Sequence, residues 1–197
     1  SISEVLAGRR LLDVTDPKGW QHSAESTGRT RHVGVIMGDV DARVRAVNPL
    51  VELKVPFAVS RAELDAIDRG ACDADLDSVR TAARDAAIAE DTAVFHGFEA
   101  GGIVGVVPAT PNEAVTIDSD YEKYPSAVAQ AVAKLKTGGV AGPYAIALGP
   151  RCYTGVVEQS EMGGYPVLKH LELILGGPVI FAPGVNGAIV ASLRGGD

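Results

Sequence analysis

Three features of the sequence predict an α+β fold. The first lies between Val51 and Gly70, where a strand pattern runs into a helix pattern without a loop. Val51, Leu53, Val55, Phe57 and Val59 alternate with Glu52, Lys54, Pro56 and Ala58, a period of two with one apolar face. Ser60-Arg61-Ala62-Glu63 then reads as a capping box, Leu64 and Ile67 follow at helical spacing, and Gly70 suits a left-handed stop. The second is a helix pattern from Asp75 to Phe95, with Leu76, Val79, Ala83, Ala87 and Val94 on one stripe. At about 1.5 Å per residue it makes a spine of roughly 30 Å. The third is the alternation of helices and strands after residue 112.

The elements follow in order. Ile2 to Leu12 reads as the end of a helix, with Arg9-Arg10 at its negative end, and Asp16-Pro17-Lys18-Gly19 is a turn signature. Val33 to Met37 and Ala42 to Val47 are strand candidates around Gly38-Asp39, and Val51 to Val59 is the expected return strand. Residues 30–59 thus read as a two-stranded ribbon. A ribbon alone is marginal in water, so it calls for a surface to lie on, such as a neighbouring subunit. Gly101-Gly102, Gly105, Pro108 and Pro111 mark a flexible connection between lobes. Beyond it come helices at Pro125 to Lys136 (stopped by Gly138), Pro150 to Val157 and Pro166 to Leu175. The strands are Tyr144 to Leu148, Val179 to Ala182 and Ala188 to Leu193.

Composition narrows the function. The 197 residues suffice for a substantial core, and 46% hydrophobic with 22% charged residues is ordinary for a soluble globular protein. A net charge of -7 opposes binding to phosphate backbones, and 5% aromatic residues give few stacking platforms. Arg29, Arg31, Arg43 and Arg45 form the densest basic region and read as solvated arm residues. Cys72 and Cys152 belong to no paired motif, so neither a disulfide framework nor a zinc site is expected. No apolar run reaches membrane-spanning length and no signal peptide is visible, which makes a soluble cytoplasmic protein the expectation.

No catalytic, cofactor or metal constellation stands out. Asp73, Asp75 and Asp77 imitate the start of a calcium loop, but Ser78 stands where glycine is needed and Arg84 where glutamate is needed. They read as an exposed acidic turn and helix cap. Gly97, Gly101, Gly102 and Gly105 follow a helix and lack the Lys-Ser/Thr ending of a phosphate loop. His22, His32, His96 and His170 form no metal motif. A Cys152, His170 and Asp197 triad has no local support, and Cys152 reads instead as a small hydrophobe packed inside a helix. Glu158 and Glu161 belong to a loop tip beside Gly163-Gly164.

Five motifs in register carry a resemblance: Leu64-Asp65-Ala66-Ile67-Asp68-Arg69-Gly70; Glu90-Asp91 with Phe95-His96-Gly97; Gly142-Pro143-Tyr144; Gly163-Gly164-Tyr165-Pro166; and Arg194-Gly195-Gly196-Asp197. In order and spacing they resemble the encapsulin shell proteins, which include the linocin-type bacteriocins. The resemblance runs from Ala7-Gly8-Arg9-Arg10 to Asp197. It implies the tailed-bacteriophage major capsid protein fold. On that scheme residues 1–29 are an N-terminal segment and 30–59 the extended loop. Residues 60–111 are the peripheral domain with its spine helix and connection. Residues 112–197 are the axial domain and the start of the return to the peripheral domain. Family members have a further N-terminal helix and continue past the Arg-Gly-Gly-Asp motif, so the resemblance implies a fold truncated at both ends.

The resemblance further implies a subunit that catalyses nothing. It self-assembles into an icosahedral compartment in the cytoplasm, with no nucleic acid and no membrane as partner. The cargo would be a ferritin-like iron-oxidising protein or a dye-decolourising peroxidase, docked by a short tail. Ser160, Glu161, Met162, Gly163, Gly164 and Tyr165 match the pore loop, and Arg9 and Asp13 match inner-wall positions near the cargo-tail groove. Ile36, Val44, Val47, Leu53, Val55 and Phe57 are the expected subunit interface. Two alternatives stand beside it: a phage or prophage capsid protein that packages DNA, and an activity of protease or bacteriocin type.

Overall fold

A computed structural model describes residues 5–117, 119–161 and 163–194. The core is built around a three-stranded sheet of order β4-β3-β5, with β3 (Tyr144–Leu148) central, β4 (Val179–Phe181) parallel to it and β5 (Ala188–Ser192) antiparallel. Every residue of β3 is buried. Its alternation sends Tyr144, Ile146 and Leu148 to one face, where they join Val128 and Val132 of a helix at Tyr124–Thr137, Val156 of one at Pro150–Glu158, and Leu171 and Leu175 of one at Val167–Leu175. Ala145 and Ala147 point to the other face, where they join Ala7, Leu11 and Phe95. Small side chains on that face let the sheet lie close to the spine helix and the N-terminal segment.

In chain order the helices are α1 (Gly8–Leu11), α2 (Arg61–Asp68), α3 (Asp77–His96), α4 (Val106–Ala109), α5 (Tyr124–Thr137), α6 (Pro150–Glu158) and α7 (Val167–Leu175). The capping box before α2 forms by half. The Ser60 hydroxyl accepts from Glu63 N–H at 3.2 Å, but the Glu63 carboxylate accepts from Asp75 N–H at 2.9 Å and so braces the acidic turn. Helix α2 ends as expected, with Gly70 at φ 93° and the Ala71 N–H donating to Ala66 O at 2.9 Å. Helix α5 ends one residue later than the sequence predicts. Gly138 keeps a negative φ, and Gly139 takes the left-handed position while Val140 N–H bonds Leu135 O. The buried stripe of α3 is Ala82, Ala87, Asp91 and Phe95, so the expected stripe through Ala83 and Val94 is off by part of a turn.

The ribbon is real but displaced. β1 (Ala24–Met37) pairs antiparallel with β2 (Val40–Pro49) around Gly38 at φ 55°. Residues 51–59 belong to no strand, so the expected return strand at Val51 to Val59 is corrected to β2. Pro49 ends the ladder and Pro56 has no N–H to give one. The segment is pinned at its ends instead: Val51 lies against Gly101, and Ser78 Oγ–H donates to Ala58 O. The Gly-rich stretch expected to be a flexible connection is a tight backbone crossing. Phe98 and Ile103 exchange both backbone bonds, and a Cβ on Gly105 would stand 2.2 Å from the Gly97 nitrogen.

Candidate assembly and docking surfaces

β2 is amphipathic in sequence and in space. Val40, Ala42, Val44 and Ala46 share one face, while Asp41, Arg43 and Arg45 share the other with Val47. Cross-strand pairing adds Met37, opposite Val40, to the apolar face near the tip, but also Arg31, opposite Val44, while Val35 joins the charged face opposite Asp41. On the charged face Asp41 accepts from Arg43 Nε at 2.8 Å and meets His32 Nε2 at 2.8 Å. No residue of either strand is buried, and Ile36 is 77% exposed. Of the expected interface residues, Ile36, Val44, Val47, Leu53 and Phe57 are exposed and Val55 is half-buried. The structure does not gather them on one face, since Val44 and Val47 point oppositely and Leu53, Val55 and Phe57 lie outside the ribbon.

Arg9 and Asp13 fall at and just beyond α1, and both are exposed. Arg9 is held by Glu90, whose two carboxylate oxygens accept from Nε at 2.6 Å and Nη2 at 2.8 Å. This fork holds the Arg9 pKa above its ordinary value. The neighbouring Asp91, 1% exposed, accepts from Ala7 N–H at 2.7 Å and Gly8 N–H at 2.9 Å. Burial pushes its carboxyl up, opposed by the two amide bonds. Sequence reading quoted Glu90-Asp91 as a motif but missed this role. An acid spaced four residues from both Ala87 and Phe95 on one helical stripe was the available signal.

The loop after α6 is a small closed turn. Glu161 N–H donates to Tyr165 O at 2.8 Å and Gly164 N–H to Glu161 O at 2.9 Å. The Glu161 carboxylate pairs with His170 Nδ1 at 2.7 Å, and the Tyr165 ring stands edge-on to His170. Ser160, Gly163, Gly164 and Tyr165 are exposed, and Met162 lies outside the described residues. Cys152 is half-buried and takes a bond from the Tyr124 hydroxyl at 3.1 Å, whose own pKa is pushed up by burial and by that thiol. His170 is thus committed to Glu161, and Asp197, the third member of the unsupported triad, lies outside the described residues. The acidic turn is internally bonded: Asp77 N–H donates to the Asp75 carboxylate at 3.0 Å, and the Asp77 carboxylate accepts from Arg80 Nη1 at 2.7 Å. Among the described residues no group of three or more His, Cys, Asp or Glu is placed to hold a metal ion, and no helix is long and apolar enough to cross a membrane.

A cleft of about 460 Å³ lies between α5, the segment 106–117 and β5, lined by Val107, Val115, Ala131, Ile189 and Val190 among others. It is apolar, and Lys134 closes one side by donating to Glu113 O at 2.8 Å.

The Linocin_M18 family, described as an encapsulating protein for peroxidase, matches residues 1–197. The type 1 encapsulin shell protein of Rhodospirillum rubrum is 47% identical over 203 residues, spanning 100% of this chain and 72% of that protein. The chain belongs to the encapsulin shell protein family. The encapsulin shell protein of Mycobacterium tuberculosis is 42% identical, over 98% of this chain and 72% of its own length. A virus-like particle from Pyrococcus furiosus superimposes with a TM-score of 0.51 at 17% identity, over 92% of this chain and 70% of that chain. At that identity the likeness speaks for the fold, and the encapsulin-family chain has the tailed-bacteriophage major capsid protein fold expected from its motifs.

Proposed function

We propose that this chain is the structural subunit of a closed, icosahedral protein compartment built from many copies of itself. The observation that carries this reading is the ribbon at Ala24–Pro49, which leaves Val35, Ile36, Met37, Val40 and Val44 exposed, with no other described residue burying them. Solvent-facing strands of that length are a liability unless another surface covers them. Membership of the encapsulin family supplies the partner, a further copy. Ile36, Val44, Val47, Leu53, Val55 and Phe57 then contribute to subunit contacts.

Within that compartment the turn from Ser160 to Tyr165 borders a pore for small ions and substrates, with Glu161 as its acidic group. Arg9 and Asp13 border the groove for a cargo tail. The cargo is a peroxidase or a ferritin-like protein, and the description of the matched family favours the peroxidase. The role is structural, in a cytoplasmic compartment. Light scattering on the intact protein tests the core of this reading. Megadalton particles free of nuclease-protected nucleic acid are expected. A strictly monomeric or dimeric protein overturns it, and protected DNA inside the particles favours a phage capsid instead.

A further inference from the structure

Helix α1 spans four residues, too few to hold together alone. It has no side-chain cap of its own. Its leading amides, on Ala7 and Gly8, are instead taken by the two oxygens of Asp91, which arrives from α3 more than eighty residues along the chain. Space around this carboxylate is closed: a Cβ on Gly8 would stand 3.1 Å from Asp91 Oδ1. One residue before Asp91, Glu90 grips Arg9 through Nε and Nη2. That leaves Arg9 Nη1 without a bond among the described residues, on a side chain that is 55% exposed.

We propose that Glu90 and Asp91 are the positioning pair of the cargo-docking wall. Asp91 fixes the backbone of the 7–11 segment to the spine helix, and Glu90 turns Arg9 so that its free N–H edge faces an incoming tail. The proposal rests on the reading that Arg9 borders the cargo groove. It also names the chemistry of the tail. Glu90 already neutralises Arg9, so the site offers hydrogen-bond donors in a fixed direction and little net positive charge. Such an edge suits the carbonyl oxygens of an extended peptide more than a side-chain carboxylate, and binding there depends weakly on salt.

The test uses particles purified from the native host, loaded as the host loads them, with R9A, E90Q, D91N and D91A beside wild type. Particle size comes from light scattering. Cargo per shell comes from mass spectrometry of the protein that fills wild-type particles. Hydrogen exchange reads the Ala7 and Gly8 amides. D91A is expected to form particles of wild-type size, to lose protection at both amides, and to hold about tenfold less cargo because the docking edge is no longer pre-organised. D91N, which keeps one carbonyl acceptor, should fall between. E90Q, whose amide nitrogen cannot accept from Arg9, should break one arm of the fork and lower cargo retention several-fold. If R9A empties the shells while D91A, D91N and E90Q keep a full load, positioning by this pair is overturned. If R9A itself keeps a full load, the groove reading beneath it fails. Should D91A not assemble, D91N and E90Q decide by the same criteria.

Discussion

β3 and the β1–β2 ribbon are both paired strands that carry apolar side chains, yet they end in opposite environments. All of β3 is buried between helices on one face and the spine helix on the other. Nothing in the ribbon is buried, though it carries Val33, Val35, Ile36, Met37, Val40, Val44 and Val47. Strand pairing alone therefore does not decide where apolar surface goes. β3 has both of its sheet neighbours in the same chain and two layers to pack against, so its stabilisation is intramolecular. The ribbon has one neighbour and no layer, so its apolar face contributes free energy only when a second molecule arrives.

This contrast can be broken at its buried end first. Ile146→Ala, in the centre of β3, should cost about 2–5 kcal/mol in urea unfolding, the range for removing a fully buried aliphatic side chain. An unchanged midpoint would show that the lobe is looser than its packing. Gly105→Ala should come next, at about 3 kcal/mol, because the added Cβ meets backbone that no rotamer change can move. Chain stability by chemical denaturation measures both.

Asp91 lies between the two extremes, and its effect is one of pH. Burial raises its folded pKa above the ordinary 3.8. The protonated form is therefore favoured by folding, so this group's contribution is fully present below the ordinary value and is lost as pH rises through the raised one. Wild type should lose stability relative to D91N as pH climbs across that window, followed by thermal unfolding at matched ionic strength. A flat or opposite difference would mean that the two amide bonds outweigh burial. The smallest effect on the subunit belongs to the ribbon. Ile36→Ser or Val44→Ser should change the stability of the unassembled chain by no more than about 0.5 kcal/mol, as surface substitutions do. The same changes should sharply reduce particle yield by light scattering. A large loss of subunit stability would place the ribbon inside the monomer's own core.

The lobe was legible in the sequence because its signals are local. A short all-apolar run at Tyr144–Leu148, Pro150 opening a helix and Gly176 closing one all act over a few residues, and each element appears within a residue or two of its expected bounds. The ribbon was misplaced because its first half, Ala24 to Arg29, is polar and glycine-containing, while the alternating Val51–Val59 looked more strand-like than it is. Period two marks a strand only where an N–H ladder can form, and Pro56 removes a donor from the middle of that segment. The Gly97–Gly105 crossing was read as a loose link because glycine signals flexibility and close approach equally. The Asp91 seat depends on a contact across most of the chain, which no local window can hold. His170 and Glu161, nine residues apart, meet only because α7 folds back along the loop.

β2 sets the reach of the ribbon: its 10 residues span about 30 Å at roughly 3.4 Å per strand residue, and the extra residues of β1 go into bulges. A compact chain of this length has a radius of gyration of roughly 16 Å. A body with that radius of gyration is about 40 Å across, so the arm is comparable in length to the width of the body that carries it. A copy lying under the whole ribbon would therefore be gripped across most of its own width by a single arm.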